Sequence, residues 1–368
     1  MKKNANNTVF IVVLAVVVLF FSFSYIFVEA KSFSEDENRL LQTSPRFTFE
    51  KLMDGTYTRQ LHDYFSDQIN LRTLMIELKA SVELLMGKNE NNGVLLGRDG
   101  YLIETDLYTE AQLSYLESNL ARIERLREAL QESGVTSVSA IIPRKVDVLQ
   151  DMLPPYYSTE RNEKAWELVG DGHINLTQAL TASGTFYKTD HHWTNDGAFA
   201  AYRELSKHLD YYPRLKDTFH STVLSDEFFG TTYSTSGFFF VGADTISAPT
   251  VDEVRYKTEI VDIEYTFDGI YDTDYLTKKD KYSTFLSGNN AHVKIYDTAD
   301  ENKETLLIVK DSFSHSLAPY LIEHYNLELI DPRYFTGSIE EYINDNDIDR
   351  VLFLFGIDTL ASANLSIR

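Results

Sequence analysis

The residues best equipped for chemistry lie in two short blocks, FYKTDHHWTNDGAF at 186–199 and LLIVKDSFSHSLAPYL at 306–321. Ser312 falls where a strand-like run gives way to a helix-like one. A hydroxyl at such a turn is exposed at the carboxyl edge of a sheet, where α/β proteins place their sites. Backbone N–H groups there, with the positive end of the helix, can stabilise an oxyanion. A serine hydroxyl needs a base at neutral pH, and a histidine oriented by a carboxylate is the usual one. Asp190 and His192 offer that pair. In an extended segment residues two apart share a side, so His191 would point away. Thr194-Asn195-Asp196 reads as the cap of the helix that follows, which would hold the loop.

Plainer readings stand beside this one. Asp-x-His is common in surface loops, and Asp311 could simply cap the helix after it. Ser314, His315 and Ser316 lie one turn further on. A metal at Asp190, His191 and His192 would need a further ligand, with Asp196 the only close one, so neither a metal nor another cofactor is expected.

The elements that must hold these blocks alternate. Residues 109–133 predict a helix, with Leu113, Leu116, Leu120, Ile123 and Leu130 in one stripe and Gly134 as its stop. VTSVSAIIP then reads as a buried strand. ETLLIVK, SHSLAPYLIEHY, LELI, IEEYINDN and VLFLF continue as strand, helix, strand, helix, strand. This order predicts an α/β fold, a parallel sheet flanked by helices. Between about 212 and 300, runs such as TEIVDIEYTF and AHVKIYDT alternate in period two and predict a β-rich insertion. GVLLGRDGYLIE reads as a hairpin, and about 49–85 as an amphipathic helical stretch.

The chain has 368 residues, a formal net charge of −22 and no cysteine. That charge argues against nucleic acid, which requires clustered Lys and Arg. Disulfides and Cys-ligated zinc are excluded. Lys2 and Lys3 precede the uncharged run Thr8–Val28, long enough for an N-terminal transmembrane helix. The lysines would stay cytoplasmic and the rest would lie outside. Val28-Glu29-Ala30 also fits a signal-peptide cleavage site, which would release the chain as a secreted protein, although the apolar run is long for one. The expected division is a cytoplasmic tip and anchor at 1–31, a juxtamembrane segment at 32–90, and a catalytic domain at 91–368.

Taken together, these residues resemble the DHHW family of exported proteins, related to the SGNH-hydrolase-like O-acetyltransferases of alginate and other bacterial polysaccharides. DHHW stands unaltered at Asp190–Trp193, followed by TNDGA, and KDSFSHSLAPYL resembles the Asp-Ser nucleophile block. ENRLLQTSPRF, NGVLLGRDGYLI, FLSGNN and IDPRYF carry the similarity from about residue 36 to the end. The resemblance implies an SGNH-hydrolase-like (flavodoxin-like) fold with Ser312 as nucleophile, His192 as base and Asp190 as its orienting carboxylate. The Asp-His block precedes the serine, the permuted order of the alginate-modifying relatives. Lys310 departs from the pattern, standing where Gly-Asp-Ser has glycine. The oxyanion donors have two candidate sources, Gly288 with Asn289, or Gly356 with Asp358. Arg333 and Tyr334 would meet a sugar or pair with Asp331, and Trp193 would shape the site.

The implied activity is transfer of an acetyl group through Ser312 to a hydroxyl of a cell-surface or secreted polysaccharide. A multi-pass membrane acyltransferase would supply the acyl group. An esterase using the same three residues, and a non-catalytic scaffold or glycan-binding component, are the alternatives.

Overall fold

The computed structural model describes residues 8–16, 19, 30–34, 39–69, 71–154, 157, 160–300 and 302–368. Most of the run expected to cross the membrane lies outside the described residues. Thr8–Val16 is helical, and among the described residues no helix is long and apolar enough to cross a membrane. The chain forms two compact units, residues 1–91 with 234–239, and 92–233 with 240–368.

The first unit carries the helices α1 (Phe49–Met53), α2 (Thr56–Gln68) and α3 (Arg72–Leu85). The expected amphipathic stretch is thus broken twice. Gly55 (φ 79°) and Leu71 (φ 63°) interrupt it in the left-handed region, where helices stop. Within this unit Gln68 holds the backbone of Lys31 and Gln42 through its side-chain amide.

The second unit is built on an eight-stranded sheet. Its strands are β1 (Thr136–Ile142), β2 (Ile174–Asn175), β3 (Tyr256–Ile260), β4 (Tyr265–Asp268), β5 (His292–Asp297), β6 (Thr305–Lys310), β7 (Asn326–Ile330) and β8 (Arg350–Gly356). They run in the order β4-β3-β5-β7-β6-β8-β1-β2. From β7 to β2 every pairing is parallel, and β5, β3 and β4 extend the sheet antiparallel. The sheet is therefore mixed, not purely parallel. The β-rich segment is only partly an insertion: β3, β4 and β5 complete the main sheet, and only Ser221–Phe228 with Asp244–Pro249 forms a ribbon of its own.

Alternation along β6, β8 and β1 divides the core into two layers. Leu306, Ile308, Leu352, Leu354, Ala140 and Ile142 face one side, and Leu307, Val309, Val351, Phe353, Phe355 and Ile141 the other. Both faces are covered, which is why these strands read as unbroken apolar runs. Each Val, Leu, Ile or Phe among them contributes roughly 1.5–3 kcal/mol by its burial.

The helices of this unit are α4 (Glu110–Glu132), α5 (Lys145–Val148), α6 (Glu160–Val169), α7 (Asn195–Leu205), α8 (Ser314–Leu321), α9 (Ile339–Asp345) and α10 (Ile357–Ser362). Thr109 and Gln112 form a capping box at the start of α4, whose buried stripe is the expected one with Asn119 and Leu126 added. Residues of α4, α9 and α10 join one core layer, and α7 and α8 the other.

The block at 186–199 is a tight excursion before α7. Phe186 bridges Trp193, Thr194 N–H donates to Thr185 O at 2.9 Å, and the Thr194 hydroxyl caps Gly197. A Cβ on Gly197 would stand 2.2 Å from Thr185 O and 2.7 Å from the Trp193 Cβ. Gly197→Ala must push α7 off this loop. The expected cost is about 1–3 kcal/mol of unfolding free energy, read as a lowered urea midpoint at unchanged slope.

Candidate active site

Ser312 lies between the end of β6 and the start of α8, at the carboxyl edge of the sheet. Asp311 is not a helix cap. Its Oδ1 accepts from Phe313 N at 3.0 Å and its Oδ2 from Gly356 N at 2.7 Å, tying the Ser312 turn to the end of β8. Among the described residues the Ser312 N–H has no hydrogen-bond acceptor, which leaves it available to an oxyanion.

The structure brings Ser312, His192 and Asp190 into line. Ser312 Oγ is 2.7 Å from His192 Nε2, and His192 Nδ1 is 2.5 Å from Asp190 Oδ1. The local conformation differs from the expected extended segment. Asp190 Oδ1 also accepts from His192 N at 3.0 Å, an Asx-type turn that places the imidazole against the carboxylate. Oδ2 takes the Thr231 N–H at 2.8 Å and the Thr231 hydroxyl at 3.1 Å. Gly230 makes this approach feasible, since a Cβ there would lie 2.2 Å from Asp190 Oδ2.

Burial works against ionisation of Asp190, but His192, then His191, and the hydrogen bonds from His192 hold the carboxyl well below its usual range. His192 is itself lowered, first by burial and then by His191, against the opposing pull of Asp190. The result is a neutral imidazole carrying its proton on Nδ1, with Nε2 free to accept from serine. Tyr282 stacks under that imidazole, ring centroids 3.9 Å apart and 11° between planes. Its hydroxyl donates to Ser312 O at 3.2 Å.

Asp190, His191 and His192 also bring three metal-type donor atoms within 4.8 Å of one another. Each is already committed: His191 Nδ1 is 2.8 Å from Thr231 Oγ1, and both carboxylate oxygens and both His192 nitrogens carry the hydrogen bonds just described. The donor set suits a proton relay better than an ion.

Ser312 opens on a cleft of about 330 Å³ lined by Ile142, Arg144, His191, Thr231, Arg333 and Asp358, among others. Arg333 grips the buried Asp331 through Nε at 2.8 Å and Nη2 at 2.6 Å, so it is both paired and present in the cleft. Tyr334 packs on the Arg333 guanidinium and is not in the lining. Nor are Gly288 and Asn289, which follow Phe285 in a turn closed by Asn290. Trp193 is fully buried and donates to Ser316 Oγ at 2.8 Å, so it braces α8 without facing the cleft. Gly356 N is occupied by Asp311. Asp358 accepts from the Tyr108 hydroxyl at 2.7 Å and lies 3.1 Å from Arg144 Nε, so its oxygens are engaged as acceptors and not as oxyanion donors.

Sequence reasoning missed several residues. Tyr282 and Thr231 come from distant, unremarkable segments. Arg144 and Lys145 do stand just beyond Pro143 at the end of a strand, the place where site residues gather. The buried Lys145 ammonium donates to Leu102 O at 2.5 Å and Tyr187 O at 3.1 Å, and burial lowers its pKa to about 8. It thereby anchors the backbone just before Asp190. Lys310, at the position of the expected glycine, is buried with Nζ 2.8 Å from His315 Nε2 and 3.5 Å from Asp331.

A depressed His192 pKa fixes the sign of the pH dependence. Acylation by a small activated ester should rise with pH, with its inflection below the ordinary histidine midpoint. Because Asp190 raises the His192 pKa, Asp190→Asn should move that inflection lower and cut the plateau by about 10⁴-fold. A kcat/KM–pH profile of both proteins checks this.

The family described as "SGNH hydrolase-like domain, acetyltransferase AlgX" matches residues 94–237, which include DHHW but not Ser312. A probable alginate O-acetylase AlgJ of Pseudomonas fluorescens is 26% identical over 170 residues, 42% of this chain and 43% of that one. Its Pseudomonas putida counterpart is 24% identical over 182 residues, 45% and 47%. The chain thus spans less than half the length of the curated relatives it matches. Among solved structures, a DHHW family protein from Eubacterium siraeum superposes with a TM-score of 0.61 at 23% identity, covering 75% of this chain and 94% of that one. PatB1 of Bacillus cereus gives 0.60 at 19%, covering 75% and 99%. These likenesses establish the SGNH-hydrolase-like α/β fold, and the chain is similar to the DHHW family and to the SGNH hydrolase-like acetyltransferase domains.

Proposed function

We propose that this chain is an extracytoplasmic O-acetyltransferase acting on a polysaccharide. The observation that carries the reading is the unbroken line Asp190–His192–Ser312 at the mouth of a cleft on the sheet's carboxyl edge. The partial likeness to proteins described as alginate O-acetylases supports the reaction class.

Ser312 Oγ attacks the acyl carbon while its proton passes to His192 Nε2. The bond to the leaving group breaks, and the leaving group takes that proton. An acceptor hydroxyl then gives its proton to Nε2 and attacks the acyl-serine. Ser312 Oγ departs and recovers the proton. The Ser312 N–H faces the charge that develops in both steps. Asp190 stabilises the imidazolium formed between them without taking its proton.

The uncharged run Thr8–Val28 would anchor the chain in the cell membrane beside a multi-pass acyltransferase that carries the acyl group across. Water must lose the second step to a sugar hydroxyl, and only a bound acceptor achieves that.

The partition of product tests the reading. With an activated acetyl ester and a neutral oligosaccharide, acetylated sugar should exceed released acetate, and Ser312→Ala should lose both by on the order of 10⁴-fold or more. Acetate alone, with every acceptor tried, would make the chain an esterase.

A further inference from the structure

In the first unit, α3 is an amphipathic helix whose sense is inverted. From residue 71 to residue 86 the exposed positions recur at helical spacing, and only Lys79 among them is polar. Leu71, Leu74, Leu78, Val82 and Leu85 form a stripe along the whole of α3, about 20 Å at 1.5 Å per residue. Leu78 is 63% exposed and Leu85 88%. The half-buried positions hold Glu77, Ser81 and Glu83 beside Ile76 and the buried Ala80. That less apolar side is the packed one. A Cβ on Gly237 would stand 2.7 Å from Ile76 Cγ2 and 3.6 Å from Ala80 Cβ. A helix on a water-facing surface is arranged the other way round. An exposed apolar stripe of this extent marks a contact with a partner or with lipid.

Position and charge both favour lipid. The backbone of Lys31 is pinned to Gln68: Lys31 N donates to Gln68 Oε1 at 2.9 Å, and Gln68 Nε2 donates to Lys31 O at 2.8 Å. Val28, the last residue of the uncharged run, is three residues before Lys31, a reach of about 10 Å at most. Gln68 ends α2, and Leu71 opens the stripe three residues later. A bilayer that holds Thr8–Val28 therefore brings the start of α3 to its headgroup layer, which is about 5–8 Å deep. The charge agrees. The chain has 56 acidic residues and 34 basic ones, yet the exposed face of α3 carries no carboxylate to repel lipid phosphates. Its one charge is Lys79, of the sign that attracts them.

We propose that α3 lies in the membrane–water interface, with its Leu71–Leu85 face seated among the acyl chains just below the headgroups. The inference rests on reading Thr8–Val28 as a retained anchor and goes beyond it. A second element of the chain enters the same bilayer, lying in its plane instead of crossing it. The first unit is thereby laid on the membrane surface and not merely tethered to it.

The chain has no cysteine, so the full-length protein can carry an environment-sensitive NBD label on one introduced thiol. Leu78→Cys reports the proposed face, and Leu14→Cys reports the anchor. Each is placed in vesicles of phosphatidylethanolamine and phosphatidylglycerol, with and without lipids bearing a nitroxide on the acyl chain. The label at position 78 should emit to the blue and be quenched several-fold by the nitroxide lipids. Leu74→Glu with Val82→Glu, both at exposed positions, should return it to the emission of a label in water. A label at 78 that stays in water while the label at 14 is quenched would overturn the inference and leave the anchor standing. So would a label at 78 that is shielded from water, not quenched by lipid, and cross-linked to a second copy of the chain. Quenching at 78 with none at 14 would keep α3 at the interface and remove the anchor reading.

Discussion

Much of this structure is arranged around one buried charge. Asp190 is almost fully enclosed, and an isolated carboxylate there would be strongly disfavoured. Four donors offset that penalty: the backbone and ring N–H of His192, and the backbone N–H and hydroxyl of Thr231. Each has structural consequences. The His192 backbone contact forces the turn that presents the imidazole. The Thr231 contacts draw in a segment 41 residues away, and Gly230 lets it come close enough. Lys145 holds the backbone entering the turn, and the Phe186–Trp193 bridge with the Thr194 cap holds it on leaving. Removing one partner would leave a buried ion uncompensated, which costs more than the pair itself contributes.

The sheet supplies the other half of the geometry. β6 and β8 are apolar on both faces and fix the height at which their carboxyl ends stop. Asp311 ties those two ends together through Gly356 N, so the Ser312 turn is set by the sheet and not by loop sequence alone. Behind it, Trp193 and Tyr282 meet on Ser316 Oγ, linking the histidine loop to α8. Ser316 was legible only as one of several serines beside Ser312. Its role depends on two aromatic partners, from segments 123 and 34 residues away.

What the sequence disclosed follows a physical line. α4 and the strands β1, β6 and β8 were readable because local period and burial agree in them. The pairing of Asp190 with His192 was readable because it is local, although the turn that achieves it was mistaken for extended chain. The mixed character of the sheet was not readable. Strands β3, β4 and β5 alternate like any half-buried strand, and nothing local says which edge they join. Tyr282 and Thr231 escaped because contacts across tens of residues leave no spacing signal. Gly288 and Asn289 attracted notice through a motif, but the chain carries them to a turn outside the cleft. The buried Lys310, where a glycine was expected, makes sense only once His315 and Asp331 are seen around it.

The proposed catalysis requires Ser312 to accept an acyl group with His192 as its base. Exposing the folded protein to an activated acetyl ester and locating any acetyl group by peptide mass spectrometry addresses this directly. Acetyl on Ser312 in the parent, absent from His192→Ala, is the predicted result. A folded protein that acquires no acetyl group at Ser312, or acquires it equally without His192, would contradict it.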